Sequence, residues 1–437
     1  MHIEPAAEQC VSEWDDVQEV CWSTVTCGRL FIAFNKVTGS SDIWSTADGD
    51  KWEQEPLPSD IWDTWSHLVF DKQLFVGAAL GDDTVIFRRK PAGEWENVLS
   101  TPQTGTEYGA FMSLGTCGTD IYAGMGNAVF TSASGRRGSW TRDYCFETAK
   151  HIYLIAELHG KLWAFEGEPH TAPSRIYVKD DGGWRMHSSH PDIRAFGHHL
   201  PGNRVRYGGD LQVCDDQGRL FSFDGESLHQ DLSFPYNNPF KADKAYRWPR
   251  AKVIGDELFC YLFMGTAYPA RGTLLVKNGF GTWSLLLEGP ARFEIDSFKG
   301  NLYLALNHRM ECSEAFPYGM NHLSVRRLPL CLPRRPYPHQ EQLFPTDSAA
   351  GVAGIHSRPF SLSGYDQKQV LFEADAAGTL SVQVQDIRGE WVTVQTTSTV
   401  PDQPTTMTIA AATGRARLLF HPDRENTTIL RSEARLQ

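Results

Sequence analysis

A Trp placed just behind a Gly- or Asp-bearing turn recurs along this chain at a nearly constant step, and that step limits the folds open to it. The segments are STADGDKW (Trp52), KPAGEW (Trp95), SGRRGSW (Trp140), KDDGGW (Trp184) and KNGFGTW (Trp283), with DGESL placing Leu228 at the equivalent position. The successive intervals are 43, 45, 44, 44 and 55 residues. A unit of this size cannot bury a hydrophobic face by itself, so it must stack against copies of itself. A period in the forties suits a four-stranded antiparallel sheet with its turns, and radial repetition of such sheets leaves only short edges.

A second signature precedes each turn by roughly 20 residues, the span of one hairpin. It is an apolar run, a short turn and another apolar run: TVTCGRLFIAF, HLVFDKQLFVGA, MSLGTCGTDIYAG, LIAELHGKLWAF, VCDDQGRLFSF, AKVIGDELFCYLF and DSFKGNLYLAL. Each reads as the hairpin of strands A and B of one blade. Six have a following C–D turn, and the seventh does not. The segment QCVSEW, near the N-terminus, lies one period before Trp52 and supplies the missing strand. The expectation is an all-β chain: a seven-bladed β-propeller over 1–330, closed by its N-terminal strand so that no edge is left open. Residues 331–349 are rich in Pro and polar groups and read as a linker. Residues 350–437 alternate with period two between Gly and Asp turns and read as a C-terminal β-sandwich.

Composition agrees with many short strands: aromatic residues make up 12% and there are 38 Gly. The formal net charge of −12 argues against a nucleic-acid footprint. No apolar run is long enough for a membrane helix, so no membrane partner is expected. No signal peptide is visible, which fits a cytoplasmic protein or an exported one with its signal removed. The nine Cys are scattered without pairing rhythm and read as reduced thiols.

The turn–Trp segments themselves read as structure. Asp48 caps its turn, Gly49 supplies the turn conformation and Trp52 packs between blades. They lie on the face of the C–D and A–B turns. Ligand chemistry belongs on the opposite face, formed by the starts of the A strands and by the B–C loops. Polar residues gather there and differ from blade to blade, which favours one asymmetric site over a repeat lectin. His151 enters the A strand of blade four and His170 sits in its B–C loop. Tyr246, Arg247 and Arg250 precede or open the A strand of blade six, with Tyr268 and Arg271 in its B–C loop. Trp65 and His67 lie in blade two beside Asp63, His199 and Tyr207 in blade five, and His308 and Arg309 in blade seven.

STADGDKW resembles the Asp-box turn of sialidases, and PFSLSG…LFEADAAGTLSVQVQD resembles the sandwich that follows the propeller in bacterial sialidase-like glycan enzymes. No sialidase Arg-Ile-Pro motif can be placed. The pair His151 and His170, with Tyr and Arg from a later blade, resembles the layout of propeller polysaccharide lyases of the ulvan and rhamnose–glucuronate type. That resemblance implies β-elimination on a uronate-containing glycan. His151 and His170 would then be acid/base or orienting residues, Tyr246 the proton donor or base, and Arg250 or Arg247 the neutraliser of the uronate carboxylate. Residues His67, Trp65, His199, Tyr207, Arg247, Tyr268, Arg271, His308 and Arg309 would bind substrate. A sialidase-like or other glycoside hydrolase is the alternative, with Glu107, Glu147, Asp243, Glu294 and Asp296 as its candidate carboxylates, and a non-catalytic glycan-binding propeller is the second. The expected partner is an oligo- or polysaccharide and the expected state a monomer. No cofactor is required; a structural zinc or calcium would draw on His308, Cys312 and His322.

Overall fold

The computed structural model describes residues 9–57, 60–102, 113–146, 151–168, 171–194, 196, 205–215, 218–231, 234, 250–264, 271–277, 283–289, 291–308, 322–329, 339–344, 348–357, 360–361, 368–385, 390–410 and 415–436. Those residues form strands and turns, with no helix long and apolar enough to cross a membrane.

Seven four-stranded antiparallel sheets run in chain order, and six of them take their strands A to D from consecutive segments. Blade one is Val17–Thr26, Arg29–Lys36, Ser41–Thr46 and Trp52–Gln54; blade two is Ile61–Phe70, Gln73–Leu80, Asp83–Arg89 and Trp95–Pro102. Blade three runs from Ser113–Cys117 to Thr141–Cys145, and blade four from His151–Leu158 to Gly183–His190. Blade five runs from Arg206–Tyr207 to Leu228–Gln230, and blade six from Arg250–Ile254 to Trp283–Gly289. Blade seven has Ala291–Phe298, Asn301–His308 and His322–Pro329, and takes its fourth strand, Gln9–Asp15, from the other end of the chain. The inner strands of successive blades pack against one another, and blade seven packs against blade one. The sheets therefore close into a ring, and the chain is a β-propeller.

The inner strands read as near-continuous apolar runs because both faces are covered by neighbouring blades. Leu30, Phe31, Ile32, Ala33 and Phe34 are all at most 1% exposed. Polar contacts set the spacing of the outer strands. Glu55, just after the last strand of blade one, accepts from Arg89 Nε (2.7 Å) and Trp95 Nε1 (2.9 Å) of blade two. Asp143 of blade three accepts in the same way from Lys179 Nζ (2.7 Å) and Trp184 Nε1 (2.7 Å) of blade four. Asp231, which follows the last strand of blade five, accepts from Lys277 Nζ at 2.6 Å, and that ammonium lies 5.5 Å from the centre of the Trp283 ring. At Trp95, Trp184 and Trp283 the repeated Trp thus marks a seam that pairs an acid, a cation and an aromatic ring.

The first turn has the expected chemistry. Asp48 Oδ1 accepts from the backbone N–H groups of Asp50 (2.9 Å) and Lys51 (2.8 Å), which holds its carboxyl down at about 2. Trp52 meets Trp14 of the closing strand edge-on, with ring centres 5.7 Å apart.

Three expectations are corrected. VCDDQGRLFSF spans strands B and C of blade five, not A and B: Asp210–Cys214 pairs with Leu220–Phe223, and strand A is the two-residue Arg206–Tyr207. Two Gly at 208 and 209 make the true A–B turn, both with positive φ. Tyr207 therefore sits at the A–B turn, at the opposite end of the strand from the expected site. Within the span read as a linker lies the strand His339–Gln342, and the strand Ser348–Ala350 crosses its end; both pair with Thr427–Leu436.

Two compact units account for the chain: 1–230, 239–274 and 286–332 in the first, and 231–238, 275–285 and 333–437 in the second. The division passes through blade six, so the second unit carries part of its outer strands together with the C-terminal sheets. Those sheets are two, each five-stranded: one is built on 339–342, 427–436, 368–374 and 405–408, the other on 355–356, 415–422, 378–385 and 391–399. Phe344, Val370, Phe372, Leu380, Val382, Leu418 and Phe420 fill one core between them. That arrangement is a β-sandwich.

Gly49 tests the turn geometry. Its φ is +94°, and a Cβ there would lie 2.0 Å from the Tyr303 hydroxyl of blade seven. Gly49→Ala should cost about 1–3 kcal/mol, from the left-handed backbone and the displaced ring. Urea unfolding measures this, and an unchanged midpoint would show that the turn does not lock these two blades.

Candidate functional site

The axial strands carry charged groups where apolar ones would pack more simply. Strand A of blade six reads RAKVI and strand A of blade seven ARFEIDSF. Residues two apart in a strand share a face, so Arg250 and Lys252 form one pair and Glu294 and Asp296 another. Lys252 Nζ lies 2.9 Å from Glu294 Oε1 and 3.2 Å from Asp296 Oδ2, and donates to Ser23 O (2.8 Å) and Ser23 Oγ (3.0 Å) of blade one. Arg250 donates to Cys21 O (2.6 Å), Val20 O (3.3 Å) and Glu294 Oε2 (3.3 Å), and pairs with Glu19 Oε1 at 3.4 Å. Burial alone would lower the Arg250 pKa; Glu294 and then Glu19 outweigh it and raise it. Three blades are joined by this cluster.

Asp63 stands beside it, in strand A of blade two. The strand is irregular between Trp62 and Ser66, and Asp63 sits inside that irregularity with φ +54°. Left-handed backbone at a non-Gly residue within a strand is strained and is found where surroundings impose it. Asn35 Nδ2 donates to Asp63 Oδ1 at 3.1 Å, and Asn35 is itself fixed by the Ser41 hydroxyl, which donates to its Oδ1 at 2.6 Å. Burial pushes the Asp63 carboxyl up to about 6; a hydrogen bond from Trp65 opposes the rise and the nearby Glu19 charge adds to it. Trp62 and Trp65 near it in the strand are both partly exposed, and Trp62 Nε1 donates to Gly81 O at 3.3 Å. The result is a carboxyl that holds its proton to nearly neutral pH, bonded by Trp65 and beside a Glu paired with Arg250.

The expected site residues divide into two groups. His170, Tyr246, His199, Arg247, Tyr268, Arg309 and Cys312 lie outside the described residues, as do the side chains of Arg271 and His308. Of the others, His151 opens strand A of blade four as expected, is 7% exposed and lies across the ladder from Gly167. His67 is 3% exposed and stacks on Trp22, ring centres 4.7 Å apart, in the seam between blades one and two. Arg250 was expected to meet a substrate carboxylate; its guanidinium is instead engaged with the chain's own carboxylates and carbonyls. His322 lies beside Asp15 of the closing strand, Nδ1 to Oδ1 3.0 Å. No group of three or more His, Cys, Asp or Glu among the described residues is arranged to hold a metal ion. Among the described residues, Cys10, Cys21, Cys27, Cys117, Cys145 and Cys214 form no disulfide.

Sequence reasoning noted Asp63 beside Trp65 and His67 without assigning it a role, and it passed over Glu19, Asn35 and Lys252. The signal for Lys252 was present, since charges spaced two apart inside apolar inner strands need partners.

No protein-family model and no curated protein matches the chain. Solved structures do. A Trypanosoma rangeli sialidase bound to 2,3-difluorosialic acid is 7% identical, with a TM-score of 0.43 over 95% of this chain and 91% of that one. The fucose-recognising Aleuria aurantia lectin, a six-bladed propeller, is 13% identical with a TM-score of 0.42, over 63% and 98%. The WD40 propeller domain of Doa1 is 11% identical with a TM-score of 0.44, over 74% and 97%. Likeness at this level carries no argument about chemistry.

Two outcomes follow from this geometry. Lys252→Met leaves Glu294 and Asp296 buried without their shared cation and should destabilise the chain by about 3–5 kcal/mol in chemical unfolding; a loss below about 1 kcal/mol would mean the carboxylates are solvated. For Asp63, the folded state keeps the proton up to about pH 6 where the ordinary value is 3.8. Its contribution to stability is therefore full below the ordinary value and is lost as pH rises through the folded one. Unfolding free energies at acid and neutral pH should differ less in Asp63→Asn than in the parent, and equal differences would contradict a raised Asp63.

Proposed function

We propose that the chain is a carbohydrate-active enzyme that cleaves a glycosidic bond, with Asp63 as the general acid. The observation that carries this reading is the pairing of two differently set carboxyls. Asp63 is held protonated toward neutrality by burial, while Glu19 beside it is an ion-paired carboxylate. Glycoside hydrolysis uses such a pair: one carboxyl protonates the leaving oxygen and the other acts as base or nucleophile. Trp62 and Trp65 offer apolar planes against which the faces of sugar rings stack. The differing polar residues of the other blades support one asymmetric site rather than a repeated lectin pocket.

A second reading is β-elimination on a uronate glycan. It is favoured by His151 at the head of blade four, whose ladder partner Gly167 precedes His170 by three positions. In that reading His151, His170 and Tyr246 move protons, and Arg247 neutralises the uronate in place of the engaged Arg250.

One assay separates the two. Uronate polysaccharides and neutral glycans are incubated with the protein, and both reducing ends and the ultraviolet absorbance of unsaturated uronate are followed. Hydrolysis gives reducing ends without the chromophore, and Asp63→Asn should lower kcat by about 10²–10⁴ with the fold retained. Appearance of the chromophore, together with loss of activity in His151→Ala and full activity in Asp63→Asn, would replace hydrolysis by elimination. No cleavage of any glycan would leave a binding propeller.

A further inference from the structure

The C-terminal sandwich has an outer face that its own folding does not explain. In strand 415–422, Ala416, Leu418 and Phe420 point into the core, so Arg417 and His421 point out. In strand 378–385, Leu380 and Val382 point in and Gln383 points out. The ladder sets Arg417 opposite Gln383 and Gln383 opposite Thr393, and sets His356 opposite Leu419 on the other side of strand 415–422.

This row is organised around one cation. The Arg417 guanidinium lies over the Trp391 ring, 4.5 Å from its centre. Its Nε donates to Gln383 Oε1 at 2.8 Å, and Gln383 Nε2 in turn donates to Thr393 Oγ1 at 3.3 Å. Gln383 is 9% exposed, so the amide that aims the guanidinium is held in place. Among the described residues no carboxylate pairs with Arg417. Burial lowers the Arg417 pKa, and its charge reaches the exposed His356, whose pKa is lowered by burial and then by Arg417 and His421. In a chain with a net charge of −12, an oriented guanidinium with basic neighbours and no acid partner is the reverse of what solubility requires. An Arg fixed through Nε and stacked on an indole presents its remaining N–H groups as a fork, the geometry that grips a planar or tetrahedral anion.

We propose that this face is a binding site for an acidic glycan. Arg417 takes a carboxylate or sulfate group, Thr393 and Gln383 bond to neighbouring hydroxyls, and Trp391 with the stacked guanidinium forms the floor. The site is built from residues of the sandwich alone.

The test is affinity electrophoresis of the full chain in gels containing polygalacturonate, dextran sulfate or neutral dextran. The parent should be retarded by an acidic polymer and not by dextran, and the preferred polymer tells carboxylate from sulfate. Arg417→Gln should raise the apparent dissociation constant about tenfold, the amount a charge-assisted pair contributes. His356→Glu, at an exposed position that cannot upset the core, should weaken binding in the same direction. Asp63→Asn should bind as the parent does while failing to turn over glycan, so a failed hydrolase reading and a failed binding site are told apart. Absence of retardation in both acidic gels, equal retardation in dextran, or binding indifferent to both Arg417→Gln and His356→Glu would overturn the proposal.

Discussion

The ring depends on one pairing made between the ends of the propeller segment. Gln9–Asp15 hydrogen-bonds antiparallel to His322–Pro329, with Asp15 opposite His322 and Gln9 opposite Arg327. Without that strand, blade seven would expose a row of unpaired backbone groups and blade one would lose Trp14, against which Trp44 and Trp52 pack. The same region is tied from the inside by Lys252 and Arg250, which bind blades six, seven and one through Glu294, Glu19 and backbone carbonyls. It is tied from the outside by Arg327, whose Nη1 donates to Asp50 Oδ1 at 2.9 Å beside the first C–D turn. Three kinds of contact therefore converge where a closed ring is weakest, at the join between the two ends of the chain.

The axial cluster also sets the character of the candidate site. Two cations and three carboxylates lie in surroundings where an unpaired charge costs several kcal/mol. Arg250 and Lys252 are consequently committed, and they act on neighbouring residues rather than as free ligand groups. Arg250 fixes Glu19, and the Glu19 charge contributes to the raised pKa of Asp63. Asp63 itself combines a left-handed backbone, the Asn35 contact and a bond from Trp65.

Much of the architecture was legible in the sequence because repeats report on it directly. The Trp at every forty-odd residues gave the blade register, and the missing turn in blade seven led to the N-terminal strand. Blade five misled because its strand A is two residues long: the apolar pattern that elsewhere marks A and B there fell on B and C. The linker reading failed at 339–342 and 348–349 for a related reason, since short edge strands with polar side chains carry little periodic signal. The site was less legible. A His or Arg at a strand head has the same letter whether it faces a ligand or a neighbouring blade. His67 belongs to an interblade stack and Arg250 to an ion cluster, and only three-dimensional partners distinguish these from ligand contacts. Asp63 carried no sequence mark of its strained backbone or its raised pKa.

The proposed hydrolysis rests on Asp63 as a proton donor that works near neutrality. The pH dependence of kcat/KM on a cleaved glycan tests this most directly. The account predicts that activity falls as pH rises through about 6, where Asp63 loses its proton, and that this limb is missing from whatever activity remains in Asp63→Asn. A limb that persists unchanged in Asp63→Asn, or one lying at the ordinary carboxylate value, would contradict it.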